Sequence, residues 1–177
     1  DVGDAAELEA ALDEYAAQSW PPIRGVVHAA GQLDNGLAGD MTRATFDRVV
    51  MPKLHGALHL DRLLPEVELF VTFSSTGSFL AQPGQANYAA ANAGLDALAH
   101  DRRARGRHAL SIAWGVWAET GLVRGDAGAR NVEELRRQGV QPFAAEDGVT
   151  LFGWLLRRAE AAVAVLPADW SVFRRAR

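Results

Sequence analysis

Four side chains in this sequence have types and spacings that could move a proton: Tyr88, Asn92, Ser75 and Lys53. Tyr88 follows Pro83-Gly84-Gln85-Ala86-Asn87 and opens the small-residue stretch Ala89 to Gly94. A turn rich in Pro and Gly that feeds a run of alanine reads as a helix start, so Tyr88 and Asn92, four apart, share one helical face. Thirteen residues before the tyrosine stands Ser75, where the apolar run Leu69 to Phe73 ends in Ser74-Ser75. A serine at a strand's end and a tyrosine on the following helix make a candidate proton-transfer pair. A phenol ionises at about pH 10, so the pair needs a neighbour that lowers that value, and a lysine would do so. Lys53, in Pro52-Lys53-Leu54-His55-Gly56, is the candidate and the only lysine in the chain.

Each residue also has an ordinary use. A tyrosine at a helix start commonly packs its ring and wets its hydroxyl. A strand-end serine closes turns, a helical lysine is commonly solvated, and Asn92 could be a polar residue in an Ala-rich helix.

The elements that must position these groups can be read in order. Asp4 can cap a helix to about Gln18 with Leu8, Ala11, Leu12 and Tyr15 as its apolar stripe, ended by Trp20-Pro21-Pro22. Ile23 to His28 reads as a buried strand, because its apolar run is short and β-branched. A Gly-rich loop, Gly31 to Gly39, leads to a helix from near Thr42, in which Pro52 should cause a kink or restart at a cost of about 3 kcal/mol. Strands are expected at Glu68–Phe73, Ala109–Trp114 and Ala162–Leu166. Helices are expected from Tyr88 to near Gly106, around Val132–Gln138 and around Glu146–Arg158, with a loop over Gly121–Gly128. The basic residues Arg102, Arg103, Arg105 and Arg107 are expected to form a solvated helix end, favourable to the helix dipole, or a docking patch for an acidic partner. This alternation implies an α/β fold, a doubly wound parallel sheet with helices on both faces. Right-handed crossovers bring the C-terminal strand ends to one edge, where ligands sit. His28-Ala29-Ala30-Gly31, Ser74-Ser75 and Trp114-Gly115 all fall there.

Composition narrows the function classes. At 177 residues the chain is one domain or part of one. A net charge of −4 argues against a nucleic-acid surface. With no cysteine, a disulfide scaffold, a thiol nucleophile and a thiolate metal site are excluded. The five histidines lack metal-like spacing, so no metal site is assigned. No apolar stretch approaches the roughly 20 residues of a membrane span, and Asp1-Val2-Gly3-Asp4 is unlike a secretory signal. No nucleic-acid or membrane partner is expected, and a cytoplasmic location is.

Several stretches carry a family resemblance: GVVHAAG (25–31), LDNG (33–36), PKLHGALHL (52–60), FSS (73–75), GQANYAAANAGLDALAHDRRARG (84–106) and SIAWGVW (111–117). Over nearly the whole chain it resembles the ketoreductase of modular type I polyketide synthases, within the short-chain dehydrogenase/reductase superfamily. Ordinary superfamily members place a lysine four residues after the tyrosine. Here Asn92 holds that place and Lys53 comes from the preceding helix, an exchange characteristic of polyketide ketoreductases.

The resemblance implies a Rossmann-like catalytic subdomain and reduction of a β-ketoacyl thioester on an acyl carrier protein, with NADPH as cofactor. In the implied roles Tyr88 is the general acid, Ser75 holds the substrate carbonyl, and Lys53 holds the nicotinamide ribose. Asn92 positions Lys53 or a relay water. The thirteen-residue spacing selects Ser75 over Ser74. The implied cofactor-binding residues are Asp1, Val2, His28, Ala29, Ala30, Gly31, Lys53, Tyr88, Gly115, Val116 and Trp117, although Trp114 and Trp117 could simply be core. Substrate and stereocontrol positions are Leu33, Asp34, Asn35, Leu80 and Gln85, with a substrate-side loop over about 118–145. One stereochemical class carries Leu-Asp-Asp where this chain has Leu33-Asp34-Asn35, and the opposite class carries tryptophan where it has Leu80; the balance leans to the first, the B type.

A dinucleotide fold also needs a glycine-rich turn, and no G-x-G-x-x-G follows a strand here. The expectation is a sheet incomplete at its N-terminus, residues 1–177 forming part of a ketoreductase. Its partners would be the N-terminal part of that domain and neighbouring synthase domains. Two other readings stand beside this one: a non-catalytic reductase-like domain, and a free-standing dehydrogenase, which should show lysine at position 92.

Overall fold

In a computed structural model, residues 1–80, 82–118 and 132–176 are described, and they divide into two compact units. The first unit, Asp1–Ala113 with Ala161–Val163, holds the sequence-predicted proton-transfer residues. It begins with α1 (Ala5–Ala17), capped by Asp4, whose carboxylate accepts from the Ala6 and Glu7 amides. Leu8, Leu12 and Tyr15 are half-buried, while Ala11 is exposed, so the apolar stripe is narrower than expected. Next come β1 (Gly25–His28), α2 (Arg43–Val50), a π-helical turn (Met51–His55), α3 (Gly56–Leu63) and β2 (Leu69–Ser75). A 3-10 turn (Thr76–Ser78), α4 (Ala86–Ala104) and β3 (Leu110–Trp114) follow, and β4 (Ala162–Val165) completes the sheet.

The strands order β1-β2-β3-β4 in a doubly wound parallel sheet with helices on both faces. β1 runs parallel to β2 in the register Gly25↔Leu69 to His28↔Thr72. β3 is buried throughout, whereas β1 alternates, hiding Val26 and His28 and exposing Gly25 and Val27. The expectation of a buried first strand is corrected: among the described residues the Val26–His28 face of β1 is covered and the Gly25–Val27 face is not. Val26, Ala57, Val67, Phe70, Leu95 and Leu98 form a core joining β1, β2, α3 and α4. Residues of this kind each contribute about 1.5–3 kcal/mol when fully buried.

Pro52 explains the π turn. Its nitrogen has no hydrogen to give the Arg48 carbonyl, four residues back. The Gln32 side-chain amide donates to that carbonyl instead. The chain re-registers as a π turn, and the Gly56 amide reaches the Met51 carbonyl.

The arginine cluster corrects a sequence expectation. Arg102 is fully buried rather than solvated. Its guanidinium lies 4.1 Å from the Phe70 ring centroid, ion-pairs with Asp61, and donates to the carbonyls of His108 (3.1 Å) and Pro65 (3.3 Å). Arg103 donates to the Ala109 carbonyl, Arg105 pairs with Asp61 and Asp101, and Arg107 pairs with Glu66. These cations are engaged by the domain itself. Sequence spacing alone could not distinguish them because all four follow the helix's dipole preference. α4 closes in a Schellman motif: Gly106 has φ +76, its amide bonds the Arg103 carbonyl, and the Arg107 amide bonds the Arg102 carbonyl.

The second unit, Trp114–Glu160 with Ala164–Arg177, contains α5 (132–137), α6 (Ala145–Leu155) and α7 (Trp170–Arg175). Trp114, Trp117 and Phe143 pack ring against ring, with centroids 4.8–5.8 Å apart. The expected loop over Gly121–Gly128 lies outside the described residues, as do residues 119–131 of the loop expected at about 118–145.

Removing Asp61 leaves a buried guanidinium without its counter-charge. Asp61→Ala should cost about 3–5 kcal/mol in denaturant unfolding. Asp101→Ala, at an exposed ion pair, should cost no more than about 1 kcal/mol.

Candidate active site

Lys53 sits in the π turn with only 5% of its surface exposed. Its Nζ donates to the Phe73 carbonyl at 3.0 Å and stands 5.3 Å from the centroid of the Tyr88 ring. Burial pushes the lysine down from 10.5 to about 8, and the Asp96 charge opposes that fall. The lysine is therefore mostly charged at neutral pH, though far less firmly than one in water. It is not the solvated helical lysine of the ordinary reading.

Tyr88 is the third residue of α4 and half-buried. Ser75, at the end of β2, accepts a hydrogen bond from the Gly77 amide at 3.1 Å. That bond closes a turn, but it uses only an acceptor site; the Ser75 O–H remains able to donate. Gly77 also locates the serine against the tyrosine. A Cβ placed there would sit 3.4 Å from Ser75 Oγ and 3.6 Å from the Tyr88 ring. Serine and tyrosine thus meet beside Gly77, and the ammonium stands over the same tyrosine ring.

Asn92 is fully buried below this cluster. Its Nδ2 donates to the Tyr88 carbonyl at 2.7 Å, and its own carbonyl accepts from Ser74 Oγ at 3.2 Å. Oδ1 has no partner among the described residues. Ser74 therefore ties β2 to α4, while the neighbouring Ser75 faces the tyrosine.

His28 is buried under the π turn, its Nε2 donating to the Lys53 carbonyl at 2.7 Å. Burial lowers its pKa, against the opposing pull of that hydrogen bond. Val2 is beside it: a Cβ on Gly56 would meet Val2 Cγ2 at 2.9 Å and His28 Cε1 at 3.2 Å. His28 and Val2 thus support the lysine from behind. Ala29 and Gly31 are exposed and Ala30 is half-buried. A Cβ on Gly31 would stand 3.4 Å from Lys53 Nζ, so bare backbone fronts the ammonium there. A cleft of about 440 Å³ opens beside it, lined by Asp1, Gly31, Gln32, Asp47, Arg48, Met51 and Pro52.

Leu33 and Asp34 are half-buried and Asn35 is exposed, on a loop held to the start of α4. The Gly36 amide bonds the Gly84 carbonyl at 2.9 Å, and the Asp34 carboxylate pairs with Arg48. Leu80, half-buried, bonds back to the Thr76 carbonyl, and Gln85 stands at the N-cap of α4. Gly115, Val116 and Trp117 lie in the second unit. There Gly115 donates to the Val165 carbonyl, Val116 accepts from the Phe143 amide, and Trp117 packs on Phe143.

Sequence reasoning missed Asn87, which is fully buried. Its Nδ2 reaches the Asp34 carbonyl (2.9 Å) and the Thr45 carbonyl (3.3 Å), and its Oδ1 accepts from the Tyr88 amide (2.8 Å). Its place immediately before the tyrosine was the available signal.

Comparison with known proteins gives consistent results. The family model described as KR domain matches residues 1–119. The chain is 40% identical to polyketide synthase GfsB of Streptomyces halstedii over 99% of its own length and 3% of that protein's. It is 38% identical to erythronolide synthase EryA3 of Saccharopolyspora erythraea over 98% of its length and 5% of that protein's. Among solved structures, the ketoreductase of the first module of phoslactomycin biosynthesis in Streptomyces sp. HK803 superposes with a TM-score of 0.89 at 36% identity, covering 98% of this chain and 39% of that one. An A-type ketoreductase of a modular polyketide synthase gives 0.87 at 35%, covering 99% and 37%. The chain therefore spans a small part of these synthases and under two-fifths of each ketoreductase structure.

A fall from 10.5 to about 8 corresponds to roughly 3 kcal/mol of burial cost for Lys53. Below about pH 8 the lysine is charged in folded and unfolded chains alike, and the cost is fully present. Between about pH 8 and 10.5 the unfolded chain binds more protons, so stability rises with pH. Lys53→Met should stabilise the fold by about 1–3 kcal/mol at pH 7, with the gain fading towards pH 10.5. Denaturant unfolding at the two pH values measures this.

Proposed function

The chain belongs to the ketoreductase-domain family of polyketide synthases, and from that premise we propose that it forms the proton-transfer half of an NADPH-dependent β-ketoacyl reductase. The substrate in this reading is a β-ketoacyl thioester carried on an acyl carrier protein, and the product is the β-hydroxyacyl thioester. The observation that carries the reading is the buried Lys53 ammonium over the Tyr88 ring, with Ser75 beside that ring.

The reactive geometry follows from the side chains. Ser75 donates its O–H to the ketone oxygen and holds it at Tyr88. Tyr88 passes its phenolic proton to that oxygen as the carbonyl carbon is reduced. The Lys53 charge stabilises the phenolate left behind. Asn92 Oδ1, buried and open, offers an acceptor for a water that returns a proton. Atoms balance: one hydride and one proton convert the ketone to an alcohol.

When bound, NADPH supplies the hydride. The residues present fit such a group, because Gly31, which lines the cleft together with Asp1, puts no side chain beside Lys53 Nζ. Lys53 would bind the ribose hydroxyls, and Ala29, Ala30 and Gly31 would lie along the cofactor. Gly115, Val116 and Trp117 are proposed for the nicotinamide side. In this reading the phosphate-binding glycine turn comes from elsewhere in the polypeptide, as do the carrier and neighbouring domains. Asp34 and Asn35, with Leu80 and not tryptophan, favour the B-type stereochemical outcome.

Tyr88→Phe in the full synthase polypeptide should lower thioester-dependent NADPH oxidation by about 10²–10⁴-fold. Turnover within a few-fold of the parent would remove Tyr88 from the acid role and the proposal with it.

A further inference from the structure

One buried amide joins the tyrosine to the loop that follows β1. Asn87, in the first turn of α4 and immediately before Tyr88, is fully buried. Its Nδ2 carries two hydrogens, and both find acceptors: the Asp34 carbonyl at 2.9 Å and the Thr45 carbonyl of α2 at 3.3 Å. Its Oδ1 accepts at 2.8 Å from the Tyr88 amide, one of the helix-start donors that the helix itself leaves without a partner. The two facing carbonyls fix which end of the side chain is nitrogen. A carboxylate there could not donate to them, and an aliphatic side chain would serve none of the three backbone groups.

The loop over 33–36 has two further ties. The Asp34 carboxylate pairs with Arg48 of α2, and the Gly36 amide bonds the Gly84 carbonyl at 2.9 Å. Gly84 has φ +80, which suits glycine, and a Cβ there would stand 3.8 Å from the Gly36 carbonyl oxygen. Those ties run to α2 and to the turn before α4. Asn87 bonds the loop and the tyrosine's own backbone with one planar side chain that has no free space in which to swing.

A ketone gives one alcohol or its mirror image according to which face it turns to the hydride while its oxygen points at Tyr88. A loop held at a set distance from the tyrosine favours one face, and a misplacement of about 1 Å can cost about 10²-fold in rate. Resting on the reductase reading, with Asp34 and Asn35 as its stereocontrol positions, we infer that Asn87 is a positioning residue that locks the 33–36 loop to Tyr88 and so sets the configuration of the product. It acts through the loop and the tyrosine, and does not itself meet the substrate.

The parent, Asn87→Ala, Asn87→Asp and Val67→Ala are compared in the full synthase polypeptide at pH 8. Val67 is a core residue just before β2, at the end of that strand opposite Ser75, so its truncation loosens the fold away from the site. The substrate is a β-ketoacyl thioester without an α-substituent, which yields one new stereocentre. The ratio of the two alcohol configurations is read by chiral chromatography. Hydrogen exchange of the peptide covering 33–41 is read by mass spectrometry and requires no turnover.

Asn87→Ala should lower the ratio by about three- to thirty-fold and speed exchange of the peptide by about ten-fold. Asn87→Asp keeps an acceptor for the Tyr88 amide and suits a helix start, but it sets an oxygen against each carbonyl, so its ratio should fall at least as far. Val67→Ala should lower stability yet keep the parent ratio within about two-fold. A parent ratio, or parent exchange, in folded Asn87→Ala overturns the inference. An equal loss of ratio in Val67→Ala also overturns it, because the effect would then follow stability alone. Should Asn87→Ala fail to fold, Asn87→Asp decides by the same criteria, and failure of both marks Asn87 as a tie of the fold only. A parent that does not reduce the thioester overturns the reductase reading and the role in configuration with it, whereas exchange still reports whether Asn87 holds the loop.

Discussion

A charged amine held out of water beside a phenol is the constraint around which the first unit is arranged. Lys53 keeps 5% of its surface exposed and, among the described residues, donates to the Phe73 carbonyl alone. Such a group is costly to bury, and the surrounding elements hold it in place. β2 ends so that its carbonyl meets the ammonium and, two residues later, Ser75 meets the tyrosine. α4 begins so that Tyr88 lies under the same charge. The lysine itself leaves the chain from a π turn, a form that recurs at functional sites.

Stability is assembled away from that charge. The far end of α4 is tied to α3 by Arg102 and Asp61, stacked on Phe70, and closed at Gly106. The two helical segments that deliver Lys53 and Tyr88 are therefore clamped at the end opposite the chemistry. The site end is held mainly by hydrogen bonds of single side chains: His28 on the π turn, Gln32 on the carbonyl that Pro52 cannot satisfy, Asn87 on the Asp34 loop and α2, and Ser74 on α4. Each of these spans elements distant in sequence, which is how a parallel sheet brings its strand ends to one edge.

That distinction decides what the sequence made legible. Local signals were readable: Asp4 as a cap, the helix start near Thr42, the Pro/Gly turn before Tyr88, and the disturbance at Pro52. The spacing of Ser75 and Tyr88 could be recognised because each lies at an element boundary with strong local chemistry, and Asn92 follows the tyrosine by one helical turn. The partners of a side chain could not. Arg102 has the same helix-end preference as the exposed Arg105, yet one is buried and the other is at the surface. His28 matched a cofactor-loop pattern, while its ring turns inward to the lysine's backbone. The partners of Asn87 were invisible because they come from a loop and a helix folded against α4.

The central claim is that Lys53 and Tyr88 act as one proton-transfer unit. A double-mutant cycle with Lys53→Met and Tyr88→Phe, scored on the rate of β-ketoacyl thioester reduction in the full polypeptide, tests it most directly. The account predicts strong non-additivity, with the double variant within a few-fold of the slower single variant. Losses that simply multiply would mean that the two residues contribute independently, and would contradict the account.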